Sequence, residues 1–253
     1  MGSTHRSLFR SFFRDYLLPP PCPGCGALTP IENPDAPFCP ECYSMWQSEK
    51  LSPCSRCGLA MPDCRCLPRL LTDHGVRDGI CLAAYQTGGG TLPDRLIYYI
   101  KENRDGRVFD FLAGELSIHL HRLIREAEIP GDRILITYLP RRRSAIREYG
   151  FDQAQALSQA LAREMGYPFA CCFERTREGR EQKLLSAEER VENARGGFRM
   201  ARNADVSGRY VFLVDDVMTT GSSLYGCLSL LRAEGAECVI PVVVARTENK
   251  KTK

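Results

Sequence analysis

Four short apolar runs, at 79–85, 133–139, 210–214 and 237–245, alternate with longer stretches of helical periodicity around 92–103, 107–126, 150–165 and 222–234. That alternation predicts an α/β domain over residues 78–248, a parallel sheet with flanking helices. Val211, Phe212, Leu213 and Val214 are apolar without a polar break, as in a central strand buried on both faces. Residues 175–198 interrupt the pattern. They are dense in Arg, Glu and Gln and read as a long surface hood, and a loop of that length in a compact domain usually carries function.

The chain ahead of this domain is patterned differently. Residues 19–70 are rich in Cys and Pro and poor in apolar periodicity, so they cannot build a core and need a staple. Residues 1–18 place Leu8, Phe9, Phe12, Phe13 and Tyr16 on one helical face and Arg6, Arg10 and Arg14 on another. This spacing predicts a short amphipathic helix, packed on the body of the protein or lying at a membrane interface.

Length and composition narrow the class. At 253 residues there is room for one large domain, or an ordinary domain with a small appendage, and 43% apolar with 26% charged residues is the balance of a soluble globular chain. No apolar run reaches the length of a membrane span. A net charge of +3 is close to neutral for this size, which argues against nucleic acid as the main partner and leaves room for a weaker contact.

Eight of the 13 cysteines fall between Cys22 and Cys66, a density that fits either a disulfide module or thiolates gathered around metal. A secretory leader would need an unbroken apolar stretch, and Arg6, Arg10, Arg14 and Asp15 break it. The chain therefore reads as cytoplasmic, with the first helix as a possible tie to the inner face of the membrane and its cysteines reduced. The eight form the knuckles Cys22-x2-Cys25, Cys39-x2-Cys42, Cys54-x2-Cys57 and Cys64-x-Cys66, with Gly26 and Gly58 behind two of them. Zinc takes four thiolates in a tetrahedron, and such turns present two sulfurs while leaving backbone N–H groups to bond them. A double zinc ribbon with two structural Zn2+ ions follows. The sequential sets (Cys22, Cys25, Cys39, Cys42 and Cys54, Cys57, Cys64, Cys66) are preferred to an interleaved pairing, which spacing does not exclude. Cys171, Cys172, Cys227 and Cys238 read as buried packing residues.

The buried strand is followed by Asp215 and Asp216 and then by Thr219, Thr220, Gly221, Ser222 and Ser223. In open α/β sheets ligands sit beyond the carboxyl ends of strands, where these acids are expected. Hydroxyls and unobstructed N–H groups at a helix start make a phosphate cradle. The Lys-Ser or Lys-Thr of a nucleotide-triphosphate loop is absent.

This segment resembles the phosphoribosyl pyrophosphate (PRPP) motif of type I phosphoribosyltransferases, and with the knuckles in front the chain resembles the ComF family. Leu139-Pro140, the arginines after it and the 149–154 stretch, together with Arg175, Gln182, Leu185, Arg190, Asn193 and Phe198, match that family's pyrophosphate loop and hood; Asp152 stands where Asn is expected. The resemblance implies a phosphoribosyltransferase that binds PRPP with Mg2+. Asp215 and Asp216 would meet the ribose hydroxyls, and Thr219, Thr220, Gly221, Ser222 and Ser223 the 5′-phosphate. Pro140, Arg141, Arg142 and Arg143 would meet the pyrophosphate, with Lys101, Arg175 and Arg190 as further candidates. The arginine triplet also fits a solvated basic patch, and Lys101 a plain surface lysine. The family's link to natural competence implies a role in DNA uptake, as an enzyme or as a non-catalytic adaptor for single-stranded DNA or competence proteins.

Overall fold

In the computed structural model, residues 20–28, 37–86, 88, 90–176 and 197–248 are described. The expected helix at 1–18 and most of the hood, including Arg190, lie outside them. Strands β1 (Ile80–Tyr85), β2 (Ile134–Tyr138), β5 (Tyr210–Met218) and β6 (Cys238–Thr247) form one parallel sheet in the order β1-β6-β5-β2. A separate antiparallel pair, β3 (Phe173–Arg175) and β4 (Phe198–Met200), brackets the hood.

Period-two alternation divides the sheet into two cores. Phe212, Val214, Ile240 and Val242 point to one face and Val211, Leu213, Val239 and Val243 to the other. The first face is covered by α3 (Leu92–Glu102), α4 (Gly106–Glu126) and α6 (Gln153–Met165), and the second by α7 (Ser222–Ala233). Local sequence starts these helices. Thr91 and Asp94 form a reciprocal capping box on α3, Asp105 caps α4 and Asp152 caps α6.

The cysteine-rich segment builds no core of its own, as its composition predicts, and each half joins a different face of the sheet. Cys22, Phe38, Cys39, Cys42 and Trp46, the last two on helix α1 (Pro40–Glu49), belong to the first core. Cys54, Met61, Cys64, Leu67 and Leu71, the last on the single turn α2 (Arg69–Thr72), belong to the second.

Three local readings differ from the structure. Residues 143–149 form a short helix, α5 (Arg143–Tyr149), where only a ligand loop was expected; it stops at Gly150, which takes a left-handed φ of 79°. Strand β5 runs through both acids to Met218 instead of ending before them. Cys171 is exposed and Cys238 half-buried, whereas Cys172 and Cys227 are buried as expected. Among the described residues, no helix is long and apolar enough to cross a membrane.

Candidate active site and metal centres

The site begins where two neighbouring strands part. β2 pairs with β5 only as far as Tyr138 opposite Val214, and the last bond across is Leu139 N–H to the Val214 carbonyl at 2.9 Å. β5 continues beside β6 through Asp215 opposite Val243 to Met218 opposite Arg246. The carboxylates therefore lie on a strand with one side paired and the other open.

The pleat separates the two acids. Asp215 lines a depression of about 180 Å³ with Met218, Thr219, Thr220, Gly221, Ser222, Ser223 and Leu224. Burial and the adjacent Asp216 push its carboxyl well above the usual carboxylate range. Asp216 turns to the other face. Its Oδ2 lies 3.4 Å from Lys101 Nζ at the end of α3 and accepts from Gln153 Nε2 at the start of α6, at 3.3 Å. The Asp216 N–H bonds back to Asp215 Oδ1 at 2.9 Å, so the pair remains one unit.

The loop after β5 is shaped to present donors. Gly221 takes a left-handed φ of 79° as the residue before α7, with no side chain capping the helix. A Cβ there would lie 3.1 Å from Leu71 Cγ and 3.5 Å from Pro68 Cβ, so both the conformation and the space call for glycine. The first amides of α7 lack helical partners, Ser222 N–H bonding instead to Thr220 Oγ1 at 3.4 Å, and Ser222, Ser223 and Leu224 line the same depression as Asp215.

The cysteines gather in the sequential sets. The sulfurs of Cys22, Cys25, Cys39 and Cys42 lie within 4.8 Å of one another, as do those of Cys54, Cys57, Cys64 and Cys66. Zinc–thiolate bonds of about 2.3 Å in a tetrahedron put sulfurs roughly 3.8 Å apart. Cys25 and Cys39 are at 3.7 Å, Cys57 and Cys64 at 3.5 Å, and none of these cysteines is in a disulfide. The two leading knuckles repeat one conformation. Gly26 and Gly58 both have positive φ, and each donates its N–H to the carbonyl of the leading cysteine, at 2.8 and 2.9 Å. Backbone amides of Gly24 and Cys39 bond Cys22 Sγ, and that of Arg56 bonds Cys54 Sγ, each at 3.4 Å. Burial pushes the Cys54 thiol up, but the amides of Arg56 and Cys57 outweigh it and hold it down at about 7. Against burial, Cys22, bonded by the Cys39 and Gly24 amides, is likewise held down, whereas burial pushes Cys39, Cys42, Cys64 and Cys66 up.

Comparison with known proteins supports the α/β half directly. The phosphoribosyl transferase domain family matches residues 151–253, which include β5, the loop and β6. The DNA utilization protein YhgH of Escherichia coli K12 is 30% identical over 226 residues, 88% of this chain and 90% of that one. The chain belongs to the ComF family. Competence protein F of Haemophilus influenzae is 39% identical over 90 residues, 35% of this chain and 39% of that one. A hypoxanthine phosphoribosyltransferase from Staphylococcus aureus is 10% identical, over 59% of this chain and 72% of that one, with a TM-score of 0.36.

In this ComF-family chain the basic residues singled out by sequence are placed unequally. Arg141 donates through its side chain to the Lys101 carbonyl at 2.8 Å and stacks over Tyr149 at 4.6 Å. Arg175 donates to the Pro140 carbonyl at 2.7 Å and stacks over Phe198 at 4.5 Å, so it ties the base of the hood to the β2 end. Arg142 immediately precedes α5 without a side-chain capping bond and is half-buried, and Arg143 is exposed in its first turn. Asp152 does not crowd a ligand. Its carboxylate accepts from the Arg141, Ala154 and Gln155 amides at 2.7, 3.0 and 3.2 Å, using the α6 start as its own anion site. Sequence reasoning passed over Gln153, whose position beside the expected Asn site gave no separate signal. It also passed over Arg246, the one charged residue of β6, directly after the buried Val242–Ala245 run.

Proposed function

We propose that this chain binds PRPP with Mg2+ in the crevice between β2 and β5 and transfers the phosphoribosyl group to an acceptor, in a role tied to DNA uptake. Each cysteine cluster is proposed to hold one structural zinc. One observation carries the reading: a strand carboxylate, Asp215, and the donors of a tight helix-start loop share one depression where two parallel strands part. The relatives' names, DNA utilization protein and competence protein, support the biological setting.

Each subsite follows from the chemistry of its residues. Thr219, Thr220, Gly221, Ser222 and Ser223 offer hydroxyl and N–H donors to a 5′-phosphate at the positive end of α7. Asp215 accepts from the ribose hydroxyls, Asp216 backs it from the other face of the strand and turns to them only by giving up Gln153 or Lys101, and the charge of the pair stabilises the positive charge that develops on the sugar as its C1–oxygen bond breaks. The bonding pair leaves with pyrophosphate, C1 bonds the acceptor nucleophile, and the nucleophile's proton passes to water. Arg142 and Arg143 flank the leaving group. Arg141 and Pro140 shape the loop, Lys101 steadies Asp216, and Arg175 holds the hood base; Arg190 lies outside the described residues. When bound, Mg2+ neutralises phosphate oxygens and keeps part of its water shell.

A second reading is a PRPP-sensing adaptor without turnover that binds single-stranded DNA or uptake proteins. It is favoured by Lys101, Arg141 and Arg175, all engaged inside the protein. A pyrophosphate-release screen over nucleobases and single-stranded DNA decides between them. Release that needs PRPP, Mg2+ and one acceptor is the expected result. PRPP binding without release for any acceptor would establish the adaptor instead.

A further inference from the structure

Among the described residues, the second cysteine cluster has a partner that the first lacks. Arg246, on β6 and 1% exposed, reaches out of the sheet into this cluster. Its NH2 group lies 3.3 Å from Cys54 Sγ, 3.6 Å from Cys64 Sγ and 3.7 Å from Met61 Sδ, while NH1 donates to the Cys66 carbonyl. Glu248 closes the arrangement, with Oε1 at 2.6 Å from NH2 and Oε2 accepting from the Ser55 amide at 2.9 Å. Around the first cluster the nearby arginine, Arg95, donates to the Gly24 carbonyl at 3.0 Å and approaches Met45 Sδ at 4.0 Å, so among the described residues guanidinium contacts to cysteine sulfur are confined to the second cluster. A four-thiolate zinc site carries two net negative charges. The guanidinium faces both sulfurs and the carboxylate through NH2 while NH1 holds the Cys66 carbonyl, a fixed two-nitrogen fork that a lysine ammonium lacks.

The same residues reach the phosphate loop from both ends. Arg246 is the sheet partner of Met218, immediately before Thr219. Two residues beyond Cys66, Pro68 begins the turn that presses Pro68 and Leu71 against Gly221. Loop 219–223 is thus held between the register of β6 and a turn anchored by a cysteine ligand.

We propose that Arg246 is a positioning residue of the second metal site, and that this site locks loop 219–223, so metal held in the cluster and phosphate held in the loop stabilise each other. The coupling must be reciprocal, because both ligands bias one arrangement of the same segment. The proposal rests on the phosphate-binding reading of the loop.

Zinc release from the zinc-loaded full chain into excess chromogenic chelator tests it. Release in two phases is expected, and Arg246→Lys should accelerate one of them by about tenfold or more, in line with the loss seen when outer partners of metal ligands are removed. PRPP with Mg2+ should slow that same phase and leave the other unchanged. Leu71→Ala keeps every cysteine and Arg246, and it should abolish the slowing. The emission of Trp46 at the first cluster checks that both variants are folded. Equal acceleration of both phases, or none, would overturn the Arg246 assignment. PRPP that binds by calorimetry without slowing either phase would overturn the lock. Absence of any PRPP heat would strike the proposed substrate, and the ligand-free release rates would still decide the Arg246 assignment.

Discussion

Stripping the proposed zinc with a strong chelator is expected to unfold the described parts of the cysteine-rich segment and to shift the emission of the single tryptophan to that of a water-exposed indole. Trp46 is fully buried, four residues after Cys42, packed between Phe38 and Phe111 with ring centroids 6.2 and 6.0 Å away, and its indole N–H donates to Glu115 at 3.2 Å. Among the described residues of the cysteine-rich segment no disulfide serves as a staple, so the binding free energy of each proposed zinc should appear as folding free energy there. The damage should extend to the sheet. Phe38, Cys39 and Trp46 complete one core, and Met61, Leu67 and Leu71 the other, so both faces lose apolar cover. Purified protein should carry close to two zinc ions per chain. Metal-free protein with buried Trp46 and unchanged thermal stability would contradict this expectation.

The two acids should part company when neutralised singly. Asp215→Asn is expected to raise thermal stability while weakening PRPP binding. Burial and Asp216 push the Asp215 carboxyl well up, so keeping it charged at neutral pH costs the folded state free energy. The sign follows from linkage. With its folded pKa above the unfolded one, this group binds protons more tightly in the fold, and its contribution to stability falls as pH rises between the two values. Asparagine removes that penalty, at about 2–4 °C in Tm per kcal/mol for a chain of this size. The gain should shrink as pH falls through the folded pKa of Asp215. Asp216→Asn should lower Tm, because it cancels the ion pair with Lys101, while Gln153 keeps a partner. Asp215→Asn should lose about 1–3 kcal/mol of PRPP binding per charged hydrogen bond removed, and Asp216→Asn less, since its carboxylate is held by Lys101 and Gln153. Thermal melts across pH, with parallel titrations, check both. The same direction of Tm change in both variants would contradict the separation of the acids by the strand.

The sheet was legible because its strands are long and their patterns differ from those of the helices. The acid pair and loop were legible as chemistry, since two carboxylates and a Thr-Thr-Gly turn have little use on an ordinary strand. The extent of β5 was not. Two charges look like a strand end, and only the length of β6, which runs on to Thr247, shows that pairing continues past them. β3 and β4 are three residues each, too short to display a period. Helix α5 was hidden because its arginines invite a ligand reading, although Gly150 marks its end. The roles of Arg141 and Arg246 depend on residues about 40 and 190 positions away and left no local trace.

Calorimetric titration of the zinc-loaded chain with PRPP, with and without Mg2+, tests the central claim most directly. The account predicts saturable binding of one PRPP per chain, strengthened by Mg2+ and weakened by Asp215→Asn. No binding heat in a folded, zinc-loaded protein, or an affinity unchanged by that substitution, would contradict it.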